Sequence, residues 1–153
     1  MKNTEFAMEM LERAQERFED TFDQMTIEEA NQMPAPLIKS VVWLMWHTAR
    51  ELDMQISDLN GTDFLWTSAG WSEKFALDLP DDTPDYRHTP EEAAKVVVND
   101  RQLVLDYLAA SIEFTKEYLK QLDESSLDDV IDTNWDPPVT RQVRIVSAID
   151  DAG

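Results

Sequence analysis

Apolar residues recur every three or four positions along most of this chain, the period of a helix buried on one face. Phe6, Met10, Leu11, Ala14, Phe18, Phe22 and Met25 form the first stripe, with charged residues between them. Asn3 or Thr4 can cap its start, and about twenty residues give a helix of roughly 30 Å. Thr26-Ile-Glu-Glu29 matches a capping box and predicts a short helical turn, ended by Pro34 and Pro36. A second long helix is predicted from Leu37 to Leu59, with Asn60-Gly61 as its stop. Val41, Met45, Thr48, Leu52 and Ile56 form its core stripe. Ser40, Leu44, His47 and Glu51 form another stripe, less than a quarter turn away, which sets His47 at the core edge or in a cleft.

Periodicity lapses over residues 61–88, so this stretch reads as a long irregular crossover. A connection of that length is uncommon without a function or local structure of its own. Its aromatics, Phe64, Trp66, Trp71 and Phe75, suggest a lid across the helices. Thr89-Pro-Glu-Glu92 opens a third helix, with Thr as cap, Pro at the first position and acids in the first turn. The pattern continues to about Leu122 with a bend or break expected near Asn99, and a further turn is expected over Leu127 to Ile131. Trp135-Asp-Pro-Pro-Val-Thr140 cannot be helical through its prolines. Thr140 then caps a fourth helix of about thirteen residues, roughly 20 Å, with Val143, Val146 and Ile149 expected to face inward. Set against the longer first helix, the chain is expected to stop inside helix 4, at Gly153. The whole, 1–153, reads as one all-α domain.

Composition narrows the function classes. The chain has 153 residues and a formal charge of -19. That opposes nucleic-acid backbones, which need Lys and Arg to replace counterions, and anionic membranes. There is no cysteine, which removes disulfides, thiolate metal sites and a cysteine nucleophile. No apolar run approaches membrane-spanning length and the first residues carry no apolar signal region, so a cytoplasmic protein is expected. No serine-hydrolase elbow, glycine-rich phosphate loop or paired-cysteine zinc motif occurs.

Metal chemistry, if present, would centre on His47, one of only two histidines. Glu51, one turn on, can orient the imidazole, ligate or act as a base, or be a solvated acid. Read from periodicity alone, His47 fits a core-edge histidine satisfied by hydrogen bonds equally well. His88, before the Thr89 cap, reads as a loop residue packing on the helix start. Trp43, Trp46 and Trp66 read as core and lid packing, or as walls of an apolar pocket near His47. Arg144 is expected to pair with an acid of another helix.

Four segments in order, Trp46-His47-Thr-Ala-Arg50, Leu65-Trp66 with Trp71 and Phe75, Thr89-Pro-Glu-Glu92, and Trp135-Asp-Pro-Pro-Val-Thr140 with Val143-Arg144 and Ile149-Asp-Asp-Ala152, make the chain resemble the DinB-like superfamily over nearly its whole length. The resemblance implies an up-down-down-up four-helix bundle with a long crossover between helices 2 and 3, often a homodimer. It implies a divalent metal, zinc or nickel, held by one histidine of helix 2 and two of helix 4. His47 matches the first, and Asp151 falls at the second. The third, in a His-x-Gly-Gln motif, has no counterpart in this sequence. Some relatives transfer bacillithiol, mycothiol or glutathione. Two expectations follow from the resemblance. One is a metal-dependent transferase of a small thiol onto electrophiles. The other is a non-catalytic, metal-free bundle, a stress-linked binding or dimerisation module that takes a small apolar ligand.

Overall fold

In the computed structural model, which describes residues 3–152, the apolar stripes become four long helices. The first, α1 (Asn3–Asp23), buries Leu11, Ala14 and Phe22. Thr26 starts α2 (Ile27–Ala30) with the expected capping box, in which Glu29 N donates to Thr26 Oγ1 and Thr26 N to the Glu29 carboxylate. The next, α3 (Val41–Asn60), begins later than Leu37 because Ser40 is its cap, accepting from Trp43 N at 2.9 Å. Leu37 is left 82% exposed in the turn before it. Gly61 ends α3 at φ 69°, a left-handed conformation that a Cβ disfavours.

The crossover is less irregular than its pattern suggested. It folds α4 (Leu65–Ser68) and α5 (Trp71–Phe75), burying Trp66 and Phe75. Phe64 offers α4 no side-chain cap. The cap comes from Asp53 on α3, too distant in sequence for a local pattern to reveal.

The predicted third helix splits into α6 (Pro90–Ala93) and α7 (Arg101–Gln121), a wider break than a bend near Asn99. Between them Val96 and Val98 are buried while Val97 is exposed, the two-residue alternation of extended chain. The Asn31 side chain bonds both the N–H and the carbonyl of Val98, at 3.0 and 2.8 Å. Asp100 then caps α7 through Gln102 N and Leu103 N. A 3-10 helix (Glu124–Asp128) follows. In place of the turn expected to run on to Ile131, β1 (Val130–Asp132) pairs antiparallel with β2 (Val139–Thr140).

Thr140 accepts from Val143 N and starts α8 (Arg141–Ala152); the expected stop at Gly153 lies outside the described residues. The inward face of α8 corrects the expectation. Ile145, Ala148 and Ala152 are buried and Ile149 packs partly buried against the core as expected, whereas Val143 and Val146 are more than half exposed. Two alanines on the buried face allow close approach to α3, and size alone misled the reading. Phe6 and Met10 of α1 are also exposed, and they border a groove of about 410 Å³ between α1 and α8. Arg144 pairs with Asp58 of α3 at 3.2 Å, as expected, although Asp58 is an exposed acid.

The helix α1 packs on α7 and α8, and α3 packs on the same two. The core lies between these four. No helix among the described residues is long and apolar enough to cross a membrane.

At the base of the crossover, the fully buried Asp53 accepts four hydrogen bonds. Oδ1 takes Leu65 N at 2.7 Å and Ser57 Oγ at 3.1 Å, while Oδ2 takes Trp66 N at 2.7 Å and Tyr107 OH at 2.8 Å. Burial, and then the Asp53 charge, push the Tyr107 hydroxyl well above its ordinary pKa, so it remains a donor. Because a buried donor left unpaired costs about 1–3 kcal/mol, Asp53→Ala should lose more than about 3 kcal/mol in urea unfolding and Tyr107→Phe about 2 kcal/mol. A loss below about 1 kcal/mol for Asp53→Ala would contradict this role.

Candidate metal centre

His47 and Glu51 stand one turn apart on α3, both half-buried. Residues 81–88 cross over them as a strap between α5 and α6, and the strap brings Asp85, whose side chain is wholly buried. One potential ligand atom from each of His47, Glu51 and Asp85 lies within 4.8 Å of the other two. Donors at about 2.0–2.2 Å from one tetrahedral ion stand about 3.3–3.6 Å apart, so sharing an ion would require the trio to draw together by up to about 1.5 Å.

His47 Nδ1 lies 2.5 Å from the backbone carbonyl of Asp85. A carbonyl only accepts, so the proton sits on Nδ1 and Nε2 keeps a free lone pair. This is the usual way a protein fixes the tautomer of a ligating imidazole. The Trp43 ring stacks on His47 with centroids 4.8 Å apart and planes 12° from parallel, which limits rotation of the imidazole.

The carboxylates are crowded. Burial raises the Glu51 carboxyl above its ordinary range, and neighbouring Asp85 raises it further, while Gln55 and His47 pull it down. Burial also raises Asp85, against the opposing influence of Glu51 and Arg50. Asp151 is raised by its partial burial and then by Glu51. A single Gln55 amide nitrogen joins two of these acids, donating to Glu51 Oε2 at 2.8 Å and to Asp151 Oδ2 at 3.2 Å.

Both Asp85 oxygens are buried and accept from no N–H or hydroxyl donor among the described residues; the Glu51 carboxyl is the neighbour that can share a proton with them. A buried carboxylate in that state is strongly disfavoured unless it is protonated or meets a cation. The Asp85 oxygens, the His47 ring, whose Nδ1 lies 3.9 Å from Asp85 Oδ2, and the adjacent Glu51 carboxylate could together hold a divalent ion. The donor chemistry, one imidazole and two carboxylates, suits borderline to hard cations.

Of the residues singled out in the sequence, His47 and Glu51 meet in this cluster. Asp151 stands beside it, linked through Gln55. Trp43, Trp46 and Trp66 are buried and pack on one another, with Trp43–Trp46 and Trp46–Trp66 centroids each 6.1 Å apart. His88 is more than a loop residue on the helix start. Its Nδ1 accepts from Trp43 Nε1 at 3.0 Å, so its Nε2 carries the proton and donates to Thr83 Oγ1 at 2.9 Å. Burial lowers its pKa, keeping the ring neutral. Asp85 and Gln55 were missed. Asp85 ends a polar run with no periodicity, and nothing local marks it as buried.

The family model of the DinB superfamily matches residues 10–148. A crystal structure described as that of a conserved protein from Enterococcus faecalis is 70% identical, with a TM-score of 0.95 over 99% of this chain and 89% of that one. No curated protein matches the chain.

Carboxyls whose pKa is raised by folding stabilise the fold below the ordinary carboxylate range, and that contribution is lost as pH rises through the raised values. The metal-free protein should therefore lose stability from about pH 4 upward. Glu51→Gln should be more stable than the parent at pH 7 without metal, with the difference shrinking toward pH 4. Thermal melts at the two pH values, in chelator, measure it; a destabilised Glu51→Gln at pH 7 would refute the crowding.

Proposed function

The chain belongs to the DinB superfamily, and from that footing we propose that its long helices form an up-down-down-up bundle holding a divalent metal at His47, Glu51 and Asp85, where a small thiol is transferred onto an electrophile. The observation that carries the metal reading is the wholly buried Asp85 carboxylate, which meets no N–H or hydroxyl donor and clusters with His47 and Glu51. Asp151 is a further ligand candidate through its link to Glu51. The thiol reading rests on the family resemblance. The oxygen-rich donor set accommodates manganese or iron as well as the zinc or nickel of the family pattern.

When bound, a divalent ion supplies Lewis acidity and lowers the pKa of a thiol or water beside it. The protein's own residues do the rest. His47, fixed by the Asp85 carbonyl and by Trp43, presents Nε2. Glu51 takes the thiol proton on the carboxylate oxygen that does not hold the ion. The sulfur lone pair then forms the new S–C bond, and the leaving group departs with the electron pair of the bond it breaks.

A second reading keeps the fold and gives up the metal. The hydrogen bond of His47 Nδ1 to a protein carbonyl favours it, because the imidazole is then satisfied within the protein. On this reading protons shared among Glu51, Asp85 and Asp151 take the place of the ion, and the bundle acts as a binding or dimerisation module.

Equilibrium dialysis against manganese, iron(II), nickel and zinc, followed by elemental analysis, separates the two. One ion per chain is expected, with affinity reduced at least about 10-fold by His47→Ala or Asp85→Asn. The loaded protein should then consume bacillithiol, mycothiol or glutathione with a monohalobimane electrophile, and Glu51→Gln should slow that about 100-fold. Absence of stoichiometric metal establishes the second reading; metal without thiol turnover removes the transferase.

A further inference from the structure

The segment Trp46-His47-Thr-Ala-Arg50 contains a charged residue that the proposed centre does not use. Arg50 follows His47 by less than one turn of α3 and is only 3% exposed. Burying a guanidinium is costly unless its charge and its donors are answered. Its faces are answered by aromatic rings, with the guanidinium carbon 5.3 Å from the Trp46 centroid and 5.1 Å from that of Trp66. Nη2 donates to the Thr83 carbonyl at 3.2 Å and contacts Met54 Sδ at 3.6 Å. Nε and Nη1 have no partner among the described residues.

Thr83 is two residues before Asp85 on the same strap. The strap has other tethers. Trp66 Nε1 holds the Asp81 carbonyl at 3.0 Å, and Lys39 Nζ holds the His88 carbonyl at 3.3 Å. His88 holds the Thr83 hydroxyl. These fix the two ends and the Thr83 side chain, and His47 Nδ1 holds the Asp85 carbonyl itself at 2.5 Å. Arg50 is the tether on the backbone just before Asp85, and it alone among them brings a buried charge. Asp85 offers two buried, unpartnered oxygens and Arg50 two buried, unpartnered nitrogens. Each leaves the other's charge uncancelled by a direct bond, so the carboxylate oxygens remain available to a third group.

We propose that Arg50 is a positioning residue of the centre. By holding the Thr83 carbonyl and setting its charge close to the strap, it presents the Asp85 carboxylate to His47 and Glu51 without pairing with it. The inference rests on the metal reading above and concerns a residue that touches neither the ion nor the substrate.

Co2+ titration of the full chain, followed through its visible absorption, tests this in a double-mutant cycle. Arg50→Gln keeps a planar donor for the Thr83 carbonyl and removes the charge; Arg50→Lys keeps the charge and removes the fork. In the parent background Arg50→Gln should weaken Co2+ binding about 10–100-fold and shift the absorption bands to those of Asp85→Asn. Arg50→Lys should recover part of the affinity. In an Asp85→Asn background Arg50→Gln should change affinity by less than about twofold, because the group it acts through is gone. Should Arg50→Gln not fold, as judged by circular dichroism, Arg50→Lys carries the same cycle, weakening binding in the parent and not in Asp85→Asn. Multiplying effects of Arg50 and Asp85 substitutions, or parent-like affinity and spectrum in both Arg50 variants, overturn the inference and leave the metal centre standing. A parent protein that binds no Co2+ overturns both together.

Discussion

The structure hangs on the buried carboxylate of Asp53. It takes the two first backbone N–H groups of α4, a serine of its own helix and the Tyr107 hydroxyl of α7. Four donors are enough to hold an ionised carboxylate inside a protein. By taking them from three elements, Asp53 fixes where the crossover leaves α3 and how it meets α7. Trp66 is the second residue of α4, so the same carboxylate sets the position of its indole. That indole in turn holds the Asp81 carbonyl and covers one face of Arg50. The start of the strap is therefore determined by a charge more than one residue-turn and one connection away from it.

From Asp81 onward the strap is held by polar contacts rather than by regular structure. Loops pass over protein surfaces because their backbone groups need partners; here the partners are side chains of α3 and the segment preceding it. Lys39, Trp43, Trp46, His47 and Arg50 all face the strap, and Trp43 meets His88 by hydrogen bond while Trp46 meets it by stacking at 5.4 Å. A neutral His88 suits this place, since it must accept from an indole and donate to a hydroxyl at once. The outcome is a non-helical segment that is rigid where Asp85 sits, and a site carried on one helix and one strap. Such a division lets a single helical turn set the His47–Glu51 spacing while the strap sets the third group.

The parts of this fold that obey a local rule could be read in advance. Stripes of apolar residues gave α1, α3 and α7; Thr26, Thr89 and Thr140 cap helices as their side chains allow; Gly61 ends α3. Departures occur where a distant side chain decides the matter. Asn31 holds Val98 extended across a break in an otherwise helical pattern, and Asp53 creates a helix in a stretch without a cap. The inward face of α8 was lost because alanine carries little periodic signal, although small size is what permits close packing. At the site, helical spacing was sufficient to join His47 to Glu51. Asp85 was not legible, since a buried acid in a loop looks like any solvated acid until the surrounding indoles are in place.

The donor set also bears on why the carboxyls are crowded at all. The three-histidine pattern implied by the family brings no negative charge to the ion, whereas Glu51 and Asp85 bring two, and a divalent cation matches both. Arg50 adds a buried positive charge beside them, while Asp151 stands at the exposed edge. Without an ion the balance can be restored only by protons, and the carboxyls with raised pKa are the groups that would hold them. A metal bound there would compete with protons for one seat. The upward shifts of Glu51, Asp85 and Asp151 come first from burial, with the neighbouring carboxyls adding to those of Glu51 and Asp151. The chain as a whole, at a formal net charge of -19, favours the approach of a cation over that of an anion.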